Sequence, residues 1–143
     1  MNFRDILVPV DLTDRNREAI ELARQLAKPG DGTVRLLHVI EVIPGLPEEE
    51  ERKFYDRLDE RARKHLVELG ERLEKEGVRF AVEIGYGSRA GEILKRASEI
   101  PCDLIVLSSH RVSSLSVEKP GEGWGTLSYQ IAILSPCKVL LVK

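Results

Sequence analysis

The chain has 143 residues, 42% of them hydrophobic and 32% charged, and 22 basic against 24 acidic residues give a net charge of -2. That size supports one domain over 1–143 with a core of its own and no need of metal or disulfide, and the composition excludes a disordered or low-complexity chain. There is no basic excess to hold a nucleic-acid backbone, no apolar run near the ~18 residues of a membrane-spanning helix, and no signal-peptide core around Arg4 and Asp5, so the expectation is a cytoplasmic protein without nucleic acid or membrane insertion.

Short β-rich runs alternate with longer helical ones. Residues 3–10 (FRDILVPV) read as a buried strand. Ala19, Ile20, Leu22, Ala23, Leu26 and Ala27 recur at helical spacing over 14–28, and Pro29-Gly30-Asp31-Gly32 stops that helix. Residues 33–40 (TVRLLHVI) make a second strand. A long helix runs from about 48 to 76, with Leu58, Ala62, Leu66, Leu69 and Leu73 on one stripe and charge on the other faces. Residues 78–84 (VRFAVEI) form the third strand, Gly85-Tyr86-Gly87 a turn, and Ser88 a cap for a helix over 89–100. Residues 103–108 (DLIVLS) are the fourth strand, 109–124 a loop without periodicity, 125–134 a short helix ended by Pro136, and 138–142 (KVLLV) the fifth strand.

Strands without polar alternation, separated by helices, specify an α/β fold with a parallel sheet covered on both faces. Ligands of such sheets sit beyond the carboxyl ends of the strands, near the point where the strand order reverses. At the first exit, the Asp11 carboxylate can accept from a sugar hydroxyl or an adenine amino group, or it can cap the next helix, as Thr13 also can. At the third exit, Gly85-Tyr86-Gly87-Ser88 reads best as a tight turn with Tyr86 exposed. At the fourth, Ser108-Ser109-His110-Arg111 leads to Gly121-Glu122-Gly123-Trp124-Gly125-Thr126 at a helix N-terminus, a place suited to phosphate, or else a surface loop. The G-x-x-x-x-G-K-[ST] loop of P-loop proteins is absent.

His38 lies within a strand and reads as structural, and His65 on the long helix reads as a surface residue. No His, Cys or carboxylate spacing suits a metal, and no G-x-S-x-G elbow surrounds Ser108 or Ser109, so no catalytic residue is named. Cys102 and Cys137 each precede a strand. They are two small buried hydrophobes, or, if those strands are neighbours, a pair within disulfide range.

Five stretches spread along the whole chain, ILVPVDLTDRNREAI, LLHVIE, GYGSRAGEI, DLIVLSSH and GTLSYQIAILSPCKVLLVK, resemble the universal stress protein family. The opening PVD-x-[ST] and the closing G-[ST]…PC-x-VL-x-V are the most specific parts. The resemblance implies an open five-stranded parallel sheet of order 3-2-1-4-5, similar to adenine nucleotide α-hydrolases, and a homodimer paired through the C-terminal strand, here 138–143. It also implies ATP or AMP, with Mg if ATP. Asp11 would contact adenine or ribose beside Pro9 and Val10, Val39 would meet the adenine, Leu107 would abut ribose and adenine, and Gly125 and Thr126 would hold phosphate.

The family's phosphate motif, G-x-x-G, nine residues, then G-[ST], is altered here. Ser108 and Arg111 stand at its first two glycines, and thirteen residues separate Arg111 from Gly125. A Cβ at Ser108 crowds the place where backbone meets phosphate, while Arg111 offers a guanidinium. Two functions follow: a stress-response regulatory domain that binds adenine nucleotide, or a dimeric interaction module of the same family that binds none. An adenylyl-transferring enzyme would need a phosphate motif and a base that the sequence does not display.

Overall fold

The computed structural model describes residues 2–42, 44–45, 47–109 and 126–143. Strands β1 (Asp5–Pro9), β2 (Thr33–Ile40), β3 (Arg79–Tyr86), β4 (Leu104–Ser108) and β5 (Lys138–Val142) form one parallel sheet in the order β3-β2-β1-β4-β5. Helices α1 (Arg17–Leu26), α2 (Glu48–Lys75), α3 (Arg89–Glu99) and α4 (Leu127–Leu134) lie between them. The order and the helical cover are those that the resemblance implies.

Alternate residues of each strand serve opposite faces. Ile6, Val8, Val34, Leu36, Leu104 and Val106 join Ala19, Ala23, Ala62 and Leu66 in a core under α1 and α2. Leu7, Leu37, Val39, Ile105 and Leu107 join Ile93, Ala97 and Ile131 in a second core under α3 and α4. Residues Ile6–Pro9 of β1 are buried throughout, because both of their faces carry helices and both of their edges carry strands.

Several boundaries differ from the sequence expectation, each for a local reason. Phe3 stands apart from β1: its N–H bonds Leu26 O at 2.9 Å and its carbonyl takes Lys28 N–H at 2.7 Å, so it closes the end of α1. The helix expected from residue 14 opens as a tighter 3-10 turn, Asp14–Asn16, capped by the Thr13 hydroxyl, and α1 proper starts at Arg17. Gly85 and Tyr86, expected in a turn, belong to β3, because pairing with β2 continues through Val39↔Gly85 and Ile40↔Tyr86. Ser88 caps α3 as expected, accepting from Gly91 N at 3.1 Å.

Helix α2 is seated by more than its leucine stripe. Gly70 lets the helix approach β3 so closely that a Cβ there would overlap the Phe80 ring. Toward its other end, Tyr86 donates to Asp59 Oδ2 at 2.5 Å and meets Tyr55 edge-on at 6.2 Å between ring centroids. Burial and then the Asp59 carboxylate push the Tyr86 phenol up to about 12, so it stays a donor at any physiological pH. Tyr86 is 41% exposed, yet it is a fastening between α2 and the β3 exit.

Candidate functional site

The strand order reverses at β1, so the crevice to inspect lies between the carboxyl ends of β1 and β4. Strand β1 pairs with β2 along its whole length, from Asp5↔Thr33 to Pro9↔Leu37, but with β4 only at Ile6↔Leu104 and Leu7↔Ile105. Pro9 accounts for the early end. Val10 N–H donates to Leu37 O at 2.8 Å, so by strand alternation the backbone groups of Pro9 face β4, where proline has no N–H to give.

Asn16 occupies the gap. It is 4% exposed and is the buried polar residue among the described residues. Its Nδ2 donates to Pro9 O at 3.4 Å and to Ser108 Oγ at 3.3 Å, while its Oδ1 accepts from Asp11 N at 3.0 Å. The Ser108 hydroxyl in turn donates to Arg15 O at 3.3 Å. One amide therefore joins the ends of β1 and β4 and the start of the following helix.

The β1 exit is a tight turn. Leu12 takes a left-handed φ of 67°, which is uncommon for a side chain of its size. Asp11 Oδ1 closes the turn, accepting from Thr13 N at 2.9 Å and from Thr13 Oγ1 at 2.5 Å. Burial acts to raise the Asp11 carboxyl, but the two Thr13 donors, then Arg15 and Arg89, outweigh it and hold the group below its ordinary range. Asp11 is thus an anion at neutral pH and a fixed acceptor at the mouth of the crevice.

Beside it lies an open cavity of about 450 Å³ between the β2 exit and α2. Leu12, His38, Val39 and Glu41 line one side, Leu58, Arg61 and His65 the other. Arg89 lines it too and pairs with Glu41 at 3.4 Å. His38 has the structural role expected of it: Nδ1 lies 2.7 Å from Val10 O, which can only accept, so Nδ1 carries the proton and ties β2 to the β1 exit. His65 departs from expectation. It is half-buried, and its Nε2 is buried without a hydrogen-bond partner among the described residues.

The fold brings together Pro9, Val10 and Asp11 with Ser108 through Asn16, and Val39 through the neighbouring β2 exit. Val39 is 8% and Leu107 2% exposed, both within the core under α3 and α4. Thr126 is the N-cap of α4, its hydroxyl accepting from Tyr129 N at 3.3 Å. Arg111 and Gly125, like His110 and the rest of 110–125, lie outside the described residues. Among the described residues no group of three or more His, Cys, Asp or Glu is placed to hold a metal ion, and no helix is long and apolar enough to cross a membrane. Asn16 escaped the sequence reading, since an Asn between Arg15 and Arg17 looks like any polar residue at a helix start.

The family model of the universal stress protein family matches residues 2–143. Among curated relatives, universal stress protein YxiE of Bacillus subtilis (strain 168) is 28% identical over 151 residues, covering 99% of each chain. Among solved structures, hypothetical protein MJ0577 is 26% identical with a TM-score of 0.80, over 100% of this chain and 97% of that one. The Archaeoglobus fulgidus universal stress protein in complex with dAMP is 17% identical with a TM-score of 0.69, over 100% of both chains. A universal stress protein in complex with cAMP is 19% identical with a TM-score of 0.72, over 100% and 98%. At those last two identities the likeness is one of fold.

Proposed function

The chain belongs to the universal stress protein family, and from that premise we propose that it is a regulatory domain that binds an adenine nucleotide across the carboxyl ends of β1, β2 and β4. The observation that carries this reading is the ionised Asp11 carboxylate, fixed by Thr13 at the carboxyl end of β1, next to the point where the strand order reverses. A fixed anionic acceptor suits a ribose hydroxyl. Two proteins of the same fold bind cAMP and dAMP, which supports an adenosine monophosphate unit as the part recognised. In this reading Pro9 and Val10 shape the edge beside Asp11, Val39 meets the adenine, and Leu107 and Ser108 flank the ribose. The phosphates lie toward the positive end of α4 at Thr126, with Gly125 and Arg111 as further phosphate contacts. With ATP, magnesium would ride on the phosphates, since the described residues offer it no cluster of ligands.

The reading takes residues 1–143 as one unit, acting in the cytoplasm without a nucleic-acid partner, in keeping with a net charge of -2. It also takes the protein as a homodimer paired through 138–143: among the described residues β5 is bonded on one side, by β4, and exposes Leu141. A monomer mass by light scattering at micromolar concentration would refute the dimer.

Ser108 favours a second reading, a dimeric interaction module without nucleotide. Its hydroxyl stands at the first motif position and is already engaged by Asn16 and Arg15. The two readings separate in one experiment. Protein purified without added nucleotide is denatured and its supernatant analysed by mass spectrometry, and a separate native aliquot, dialysed free of nucleotide, is titrated calorimetrically with ATP, AMP and cAMP, with and without Mg²⁺. The nucleotide reading expects carried or micromolar adenine nucleotide, weakened about tenfold or more by Asp11→Asn. A clean supernatant with flat titrations leaves the interaction module.

A further inference from the structure

Cys102 and Cys137 are 35 residues apart in sequence, yet their sulfur atoms lie 3.2 Å apart. The fold causes the meeting. Each residue precedes one of two adjacent parallel strands, whose register sets Leu104 against Lys138. Counted back one step, that register sets Asp103 opposite Cys137, so Cys102 lies one position away and the two sulfurs meet on the diagonal between the strand starts. Both side chains pack against the core under α3 and α4, and both are half-buried, within reach of a small reagent.

We propose that Cys102 and Cys137 are a covalent modification site, a reversible intrachain disulfide that fastens the edge strand β5 to β4. The oxidant is a small-molecule disulfide of the glutathione kind. The Cys137 thiolate attacks one of its sulfurs, forming a mixed disulfide and releasing one glutathione thiolate. Cys102 then gives up its proton and attacks the Cys137 sulfur, releasing the second. Two protein S–H bonds are exchanged for one S–S bond, both protons end on the two glutathiones, and the two electrons reduce the oxidant. Burial and then the Cys137 thiol beside it push Cys102 up to about 12, so it is protonated at neutral pH and fits the second, intramolecular step. The closed loop spans β4, the 110–125 segment and α4, a length of chain whose cross-linking raises Tm on the order of 10 °C.

The test uses the full reduced chain, incubated folded with oxidised glutathione, then denatured, alkylated with iodoacetamide and weighed. The expected product is a single chain two hydrogens lighter, without alkyl groups, with a raised Tm, and restored by dithiothreitol. Cys102→Ser and Cys137→Ser should each fail to close the ring and hold at most one glutathione, at the remaining thiol; Cys→Ala variants repeat the pair if the serines fold poorly. A wild-type chain that takes up two alkyl groups, holds glutathione without closing the ring, or couples to a second chain overturns the proposal.

Discussion

Asp11 settles the turn after β1 with a single oxygen. Sequence patterning leaves cap and ligand contact as alternatives for it. The structure gives the cap of the 3-10 turn to Thr13, whose Oγ1 accepts from Arg15 N at 3.2 Å, and has Asp11 Oδ1 hold Thr13 from behind. The arrangement has a pH signature. A carboxyl whose folded pKa lies below its unfolded value of ~3.9 stabilises the fold above that value, and the contribution is lost as pH falls through the folded pKa. Thr13→Val removes the side-chain donor and the cap together. We expect a loss of about 1–2 kcal/mol at pH 7, a smaller loss in acid below the carboxylate range, and an upward move of the Asp11 titration. Urea unfolding at the two pH values and carboxyl-resolved NMR check this. An equal loss at both pH values would show that Thr13 acts on the fold without acting through the Asp11 charge.

At the scale of elements, α2 and β3 show what a hydrophobic pattern can and cannot say. The stripe through Ala62, Leu66 and Leu73 was legible, and those residues are buried. Gly70, buried on the same face, was not, because a glycine adds no hydrophobic signal and its value lies in the Phe80 ring it admits. Gly70→Ala sets two effects in opposition. Alanine is the better helix former by about 1 kcal/mol, but its Cβ would stand 2.6 Å from Phe80 Cγ and closer to the ring edge, so the whole ring must leave its place. Overpacking of this kind costs about 1–3 kcal/mol or more. We therefore expect a net loss of about 1–2 kcal/mol, recovered in large part by Gly70→Ala with Phe80→Leu, read from urea midpoints. A single variant as stable as the parent would mean that α2 rides free of β3. The same limit explains the other departures. The bounds of β2 and β5 follow from their composition, whereas the extra length of β3 comes from pairing with β2 and the burial of His65 from α2 lying over the strand exits. Both are tertiary effects that no local pattern carries.

Across the whole sheet, the gap between the ends of β1 and β4 exists because one ladder stops early. Pro9 withholds a donor on the β4 side, the strands part after Leu7↔Ile105, and Asn16 takes the carbonyl that the ladder leaves. Proline at the strand exit was visible in the sequence; the amide that answers it was not, since its partners Ser108 and Pro9 are 92 and 7 residues away. The bonds to Pro9 O and Ser108 Oγ are both long, at 3.4 and 3.3 Å, so the stronger consequence of losing Asn16 lies at the Asp11 N–H, held at 3.0 Å. Asn16→Ala removes a buried side chain and strips a partner from the Asp11 N–H, the Pro9 carbonyl and the Ser108 hydroxyl, a change that costs about 2–3 kcal/mol in total. Because β2 still holds Val10 and the cores on both faces remain, the damage should be uneven. The Asp11 amide should exchange with solvent much faster, while the amides of Val34 and Leu36 in β2 follow only the global loss. Hydrogen exchange read residue by residue, beside urea unfolding, distinguishes this from a general weakening. If the Asp11 amide and the strand amides speed up by the same factor, the exits of β1 and β4 open only with the whole fold, and Asn16 fills space without clasping the two strands.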